Sequence, residues 1–216
     1  SFGLGSTVST TSGYANAGEM LDPSKTKQNE IGVKMQTGEF LNTFSYFEIR
    51  QANAIDVYEG TQKYRRIDGE QKNKGAEWAF TGTIGKKLEL IGGFTYLDVR
   101  QSKTARGTND GKRVDGMPYW TGTLGMVYRP TTDWSLIARM NYVGDSVING
   151  GKIDVPSHTL FDLGATYRTT MGRTPVTLSA MVYNVTGKDY WNPRGDSSSL
   201  ALGAPRTFTF SANFEI

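Results

Sequence analysis

Cysteine is absent from the 216 residues, and histidine occurs once, at His158. Structural zinc and haem sites are built from clusters of such ligands, so no metal or cofactor is expected to be held by side chains. The missing cysteines fit any compartment, although an oxidising exterior favours paired cysteines or none. No run of about 18 apolar residues occurs, which excludes a transmembrane helix. Mean hydropathy is −0.45. That value does not exclude a membrane protein, because a sheet alternating apolar and polar residues averages to a soluble-looking figure. Charge of one sign is also lacking. Twenty-four basic and 21 acidic residues are spread along the chain, for a net +3. Without a basic block, nucleic acid is not an expected partner. The chain opens Ser-Phe-Gly, with neither a basic n-region nor an apolar h-region. No signal peptide is therefore expected, and the chain reads as processed or as a fragment.

Glycine and aromatics are plentiful: 26 Gly, 11 Tyr, 10 Phe and 4 Trp. That composition disfavours helices and suits strands joined by turns. The clearest pattern lies in the last eleven residues, R-T-F-T-F-S-A-N-F-E-I. Phe208, Phe210, Ala212, Phe214 and Ile216 share one face of an extended strand, and Thr207, Thr209, Ser211, Asn213 and Glu215 the other. Strict period-two alternation gives one apolar and one polar face. The same alternation predicts eight further strands, over 28–36, 40–52, 70–84, 88–100, 118–129, 134–144, 158–169 and 175–185. In the second of these, Phe44 and Tyr46 conflict with Phe47 and Ile49, and a bulge would reconcile them. Short turns alternate with long polar connections over 53–69, 101–117, 145–157 and 186–204. Aromatics gather near strand ends, at Tyr96, Trp120, Tyr128, Trp134 and Tyr142. These features predict an all-β, antiparallel, up-and-down transmembrane barrel wall with lipid on its apolar side. A soluble carbohydrate-binding β-sandwich also alternates, and remains open from periodicity alone.

Six stretches carry a resemblance: L-D-P-S-K-T-K-Q-N-E-I-G-V-K (21–34), N-K-G-A-E-W (73–78), R-V-D-G-M-P-Y-W (113–120), L-F-D-L-G-A-T-Y-R (160–168), Y-N-V-T-G-K-D-Y-W (183–191) and L-G-A-P-R-T-F (202–208). In order and spacing they resemble the last part of TonB-dependent siderophore receptors, across nearly the whole chain. The resemblance implies about nine strands of a 22-stranded barrel in a Gram-negative outer membrane. It implies a ferric siderophore as transported ligand and an N-terminal plug that engages the TonB complex. Residues 1–216 are then the C-terminal barrel portion, with the plug absent. The chain departs from the family in ending on Ile216 rather than Phe. A stand-alone passive pore or adhesin barrel is the membrane alternative.

The resemblance also marks site residues. The terminal strand, through Phe208, Phe210, Phe214 and Ile216, is the expected signal for the barrel-assembly machinery, since an aromatic strand with a free edge can pair with another sheet. Lipid-facing packing accounts for the same residues. Tyr119, expected to face inward at the mouth, and Trp191 and Arg194 in the last long connection are candidates for contact with an anionic organic iron chelate. Girdle packing and loop structure are the plainer alternatives. Glu30, Glu77, Arg139, Asp162 and Arg168 fall on the inner face, where a watery lumen with cross-strand ion pairs and contact with a plug are both open. His158 reads as a strand-start residue rather than a ligand. Asn184-Val185-Thr186 fits a glycosylation sequon, without meaning in a bacterial outer membrane. Gly92-Gly93 marks strand curvature and Gly150-Gly151 a loop tip. No catalytic arrangement is present, so no enzymatic activity is expected.

Overall fold

The computed structural model describes residues 6–194 and 199–215. Ile216 lies outside the described residues. Thirteen strands follow one another along the chain: β1 (Thr26–Thr37), β2 (Phe40–Glu59), β3 (Gln62–Ile84), β4 (Leu88–Lys103), β5 (Trp120–Tyr128), β6 (Trp134–Val143), β7 (Ser146–Ile148), β8 (Ile153–Val155), β9 (His158–Met171), β10 (Thr174–Tyr183), β11 (Trp191–Pro193), β12 (Leu200–Leu202) and β13 (Thr207–Phe214). Nine of them form a single antiparallel sheet in the order β1-β2-β3-β4-β5-β6-β9-β10-β13. The remaining four pair as two small ribbons, β7-β8 and β11-β12.

Neighbours in sequence are neighbours in the sheet, as expected of an up-and-down wall. Two-residue turns close β1-β2 at Gly38-Glu39 and β9-β10 at Gly172-Arg173. The register keeps every apolar set in phase. Val33 pairs with Phe44, Phe44 with Trp78, and Trp78 with Phe94. Farther along, Leu90 pairs with Met126, Met126 with Ala138, Ala138 with Leu163, Leu163 with Val182, and Val182 with Phe208. Directly paired residues share a face, and a one-residue slip at any strand would reverse it. The result is one continuous apolar face, on which Ile31, Val33, Leu163 and Phe210 remain 73%, 58%, 49% and 80% exposed. Such an unbroken greasy surface needs a hydrocarbon neighbour.

Aromatic rows bound this face. Tyr46, Tyr96 and Trp120 stand toward the long-connection end, with the Tyr96 and Trp120 rings 4.9 Å apart. Tyr128, Trp134 and Tyr167 stand toward the short-turn end, with the last two rings 4.7 Å apart. The nine residues from Trp120 to Tyr128 make eight steps, which at about 3.4 Å each and a tilt of about 40° give roughly 21 Å of height, close to the apolar band of an outer-membrane barrel. Between the rows, the Trp78 ring stacks with Phe44 and with Phe94, each at 6.0 Å.

Two expectations are corrected. β2 contains no bulge between Phe40 and Gln51; its pairing with β1 and β3 runs unbroken, and the irregularity falls at Asn53/Ile55. Phe44 and Tyr46 face the apolar side, while Phe47 faces inward, its ring against Gly75 on the next strand. An inward aromatic is accommodated because its partner has no side chain. The second correction concerns residues 53–69. They are not a loop: β2 and β3 continue to a turn at Gly60-Thr61, with Glu59 paired to Gln62. The extension carries charged residues on both faces, Asp56, Lys63 and Arg65 on one and Glu59 and Arg66 beside Ile55 and Val57 on the other, as suits a stretch beyond the band that faces lipid. Ion pairs Asp56–Lys63 at 2.9 Å, Asp56–Arg65 at 2.7 Å and Glu59–Arg66 at 2.6 Å cross it.

Candidate functional site

All long connections leave the same end of the sheet, and there they fold onto one another. In the β4-β5 connection, Asp115 accepts a hydrogen bond at 2.7 Å from the Gly150 amide of the β7-β8 turn. The Gly116 amide donates to the Val147 carbonyl, also at 2.7 Å. Gly116 lies against Pro193 of β11, so closely that a Cβ there would stand 3.1 Å from the proline ring. Three separate connections therefore meet at Asp115-Gly116. Ile148 and Val155 of the β7-β8 ribbon are buried, at 1% and 3% exposure.

The last connection is tied down by a residue the sequence reading treated only as part of a sequon. Asn184 is buried and adopts φ +50° just past β10. Its amide donates to Asp162 Oδ1 at 2.9 Å. Its side-chain Nδ2 donates to the carbonyls of Lys188 and Ala204, and its Oδ1 accepts from the Lys188 amide at 2.8 Å. One side chain thus closes both ends of the 184–204 excursion. Asp162 faces Arg139 across β6-β9, with Nη1 3.9 Å from Oδ2. This buried carboxylate serves a main-chain amide as well as an arginine, so the inward charge is partly structural. His158 stacks on Tyr190 at 4.3 Å between rings, fastening the same connection to the start of β9.

The predicted ligand residues separate. Trp191 opens β11, paired with Leu202, and is 47% exposed. Arg194 follows on the same ribbon, exposed, its amide donating to the Ser199 carbonyl at 3.0 Å. Tyr119 does not face inward. Its ring stacks on Tyr96 at 5.9 Å, lies 3.6 Å from the Arg113 guanidinium, and its hydroxyl is 3.3 Å from Arg100 Nη2. Tyr96 and Arg100 belong to the apolar-side parity of β4, so Tyr119 packs on the outside of the wall. The residue precedes the first ladder pair of β5, and strict alternation does not hold there. Phe208, Phe210 and Phe214 lie together on β13, exposed on the apolar face.

A second anchored segment covers the β2-β3 extension. The Ala15 amide donates to the Lys63 carbonyl, and Asn16 makes both side-chain bonds to the Arg65 main chain, at 2.9 and 3.0 Å. This part of β3 lies beyond the reach of β4, so residues 14–16 occupy its open edge. Tyr14 donates its hydroxyl proton to Asp56 Oδ1 at 2.9 Å, and its ring lies under the Lys63 ammonium. Burial pushes the Asp56 carboxyl up, but hydrogen bonds from Lys63, Arg65 and Tyr14 outweigh it and lower the pKa to about 2. Among the described residues, no group of three or more His, Cys, Asp or Glu could hold a metal ion.

On the concave side, Thr43, Thr81, Gly93, Thr123, Arg139 and Asn141 line a trough of about 670 Å³. Leu41, Ala79 and Ile91 line it as well, so the inward wall here mixes apolar side chains with small and polar ones.

Comparison with known proteins fits this architecture. The metal-pseudopaline receptor CntO of Pseudomonas aeruginosa is 28% identical over 205 residues, covering 90% of this chain and 28% of that protein. The ferrichrome receptor FcuA of Yersinia enterocolitica is 29% identical over 208 residues, covering 93% of this chain and 27% of that protein. The crystal structure of BauA, the ferric preacinetobactin receptor of Acinetobacter baumannii, superposes with a TM-score of 0.84 at 36% identity, over 99% of this chain and 32% of that one. The chain thus spans under a third of the length of these relatives. Such receptors are outer-membrane proteins of Gram-negative bacteria, and neither a soluble sandwich nor a stand-alone pore is favoured. The model of the TonB dependent receptor-like β-barrel matches residues 1–185, and the chain belongs to that family.

Proposed function

We propose that this chain is the C-terminal barrel portion of an outer-membrane TonB-dependent receptor that imports ferric siderophores. The observation that carries this reading is the single nine-stranded sheet with an unbroken apolar face, crowned at one end by interlocked long connections. The chain supplies wall and vestibule rather than catalysis. The plug and the segment that engages TonB would lie outside these 216 residues. Trp191 and Arg194, exposed on the β11-β12 ribbon, offer an aromatic face and a permanent cation to an anionic chelate. Tyr119 would contribute indirectly, by holding the β4-β5 connection through Arg113. Phe208, Phe210 and Phe214, with Ile216, would be read by the barrel-assembly machinery through the open edge of β13.

The test is growth under iron limitation. The full-length receptor, expressed in a strain stripped of its own siderophore receptors, is expected to restore growth on one chemical class of ferric siderophore, and only with TonB present. Arg194→Ala and Trp191→Ala should each weaken binding by roughly 1–2 kcal/mol, about five- to thirtyfold in Kd. Growth on no ferric chelate, or growth that survives loss of TonB, would remove the proposal.

A further inference from the structure

The register puts five cations side by side on the outward face. Lys27 pairs with Arg50, Arg50 with Lys72, and Lys72 with Arg100. An isolated bridge then places Arg113 opposite Arg100. At about 4.8 Å per strand, this row extends for roughly 19 Å around the wall. Like charges directly opposite one another destabilise a sheet. Internal carboxylates do not balance the row. Glu48, in the adjacent row, is shared by Arg50 at 3.0 Å, Lys72 at 3.2 Å and Lys74 at 3.9 Å. Asp98 pairs with Arg100 at 2.9 Å and with no other cation among the described residues. Side chains of Arg50, Lys74 and Arg100 stay about half exposed, at 52%, 47% and 46%.

Position supplies the partner. Arg50 and Arg100 lie four residues beyond Tyr46 and Tyr96 on the same strands and the same face. That is about 13 Å along the strand, past the aromatic row and at the depth of lipid headgroups. Lysine and arginine side chains can reach down from there to the interface. We infer that the row Lys27–Arg50–Lys72–Arg100–Arg113 is a binding site for the phosphate groups of anionic lipid headgroups lying against the long-connection end of the wall. The inference rests on the lipid-facing barrel reading and not on which chelate is carried. Arg100 and Arg113 also hold protein carbonyls, those of Gly111 and Met117. Lys27, Arg50 and Lys72 are the members free to be substituted without releasing the β4-β5 connection.

The experiment uses the full-length receptor in detergent, titrated with bis-phosphorylated lipid A and with its dephosphorylated form, and read by native mass spectrometry. The phosphorylated lipid is expected to bind more tightly, and binding should weaken as salt is raised. Each of Lys27→Gln, Arg50→Gln and Lys72→Gln should lower affinity about fivefold, and the triple variant about a hundredfold. Heat-modifiable migration establishes that each variant has assembled. If the triple variant does not assemble, the single substitutions and the wild-type salt titration decide. Equal binding of the dephosphorylated lipid, indifference to salt, or wild-type affinity in the variants would overturn the site. Siderophore uptake is read separately, so failure of either proposal leaves the other standing.

Discussion

Four phenylalanines of this sheet each stand directly opposite a glycine. Phe40 pairs directly with Gly82, Phe47 with Gly75, Phe80 with Gly92 and Phe94 with Gly122. In each pair the ring occupies the space a Cβ would take. At Gly122 that Cβ would stand 2.6 Å from Phe94 Cδ1, well inside contact distance. Glycine weakens a strand because it packs nothing, and a cross-strand ring restores the cover. The sequence reading recognised Gly92-Gly93 as a site of curvature. It missed the partners, because a pair is defined only once register is known. Gly122→Val should displace the Phe94 ring and destabilise the barrel by about 1–3 kcal/mol. The measurement is the temperature at which the assembled receptor loses its compact, heat-modifiable migration. Phe94→Ala combined with Gly122→Val should recover part of the loss, since the two residues share one space. Additive losses would show that the ring and the glycine are independent.

At the scale of elements, legibility followed lipid contact. Strands facing the bilayer must alternate, so β1, β4 to β6, β9, β10 and β13 were readable to within three residues at each end. The β2-β3 extension has water on its outside, so nothing forces alternation, and its polar sequence read as loop. E-G-T at 59–61 was the available turn signal, with Gly60 at φ +61°. The docking of Asn16 on Arg65 and of Asn184 on three main-chain groups was beyond sequence, because each joins segments whose proximity only the fold creates. The extension and the segment covering it meet at Asp56, whose pKa falls from the ordinary 3.8 to about 2. A depressed carboxylate stabilises the docked form above the unfolded pKa and loses that contribution as pH falls through the folded one. The covering segment should therefore stay docked at pH 5 and loosen between about pH 4 and pH 2. With Asp56 partly open to solvent, the stabilisation is of order 1 kcal/mol. Amide exchange at Ala15 and Arg65, compared with Asp56→Asn at each pH, measures it. The variant should exchange faster at neutral pH and converge with the wild type near pH 2. A constant ratio across that range would refute the assignment.

At the scale of the whole molecule, the sheet has two open edges. Among the described residues, β1 pairs only with β2, and β13 only with β10, over 12 and 8 residues. Main-chain groups along both edges lie within the height of the apolar band. In hydrocarbon each unsatisfied group costs several kcal/mol, and a few of them exceed the 5–15 kcal/mol that stabilises a typical domain. An isolated sheet of this form cannot sit in a bilayer as a monomer. Its edges must join further strands, whether of the same receptor or of another copy. The chain expressed alone and refolded in micelles is therefore expected to self-associate edge to edge, giving cross-linkable multimers with spin-label contacts between β1 and β13 of different copies. Supplying the strands that complete the receptor should suppress those contacts and give a single heat-modifiable species. The face assignment is tested in the same preparation. Labels at Leu136, Leu163 and Phe210 should relax with oxygen and resist aqueous agents, while labels at Thr123 and Asn141 should do the opposite. A monodisperse, heat-modifiable monomer from this chain alone would mean that the two edges find each other. That would make the nine strands a closed barrel in their own right.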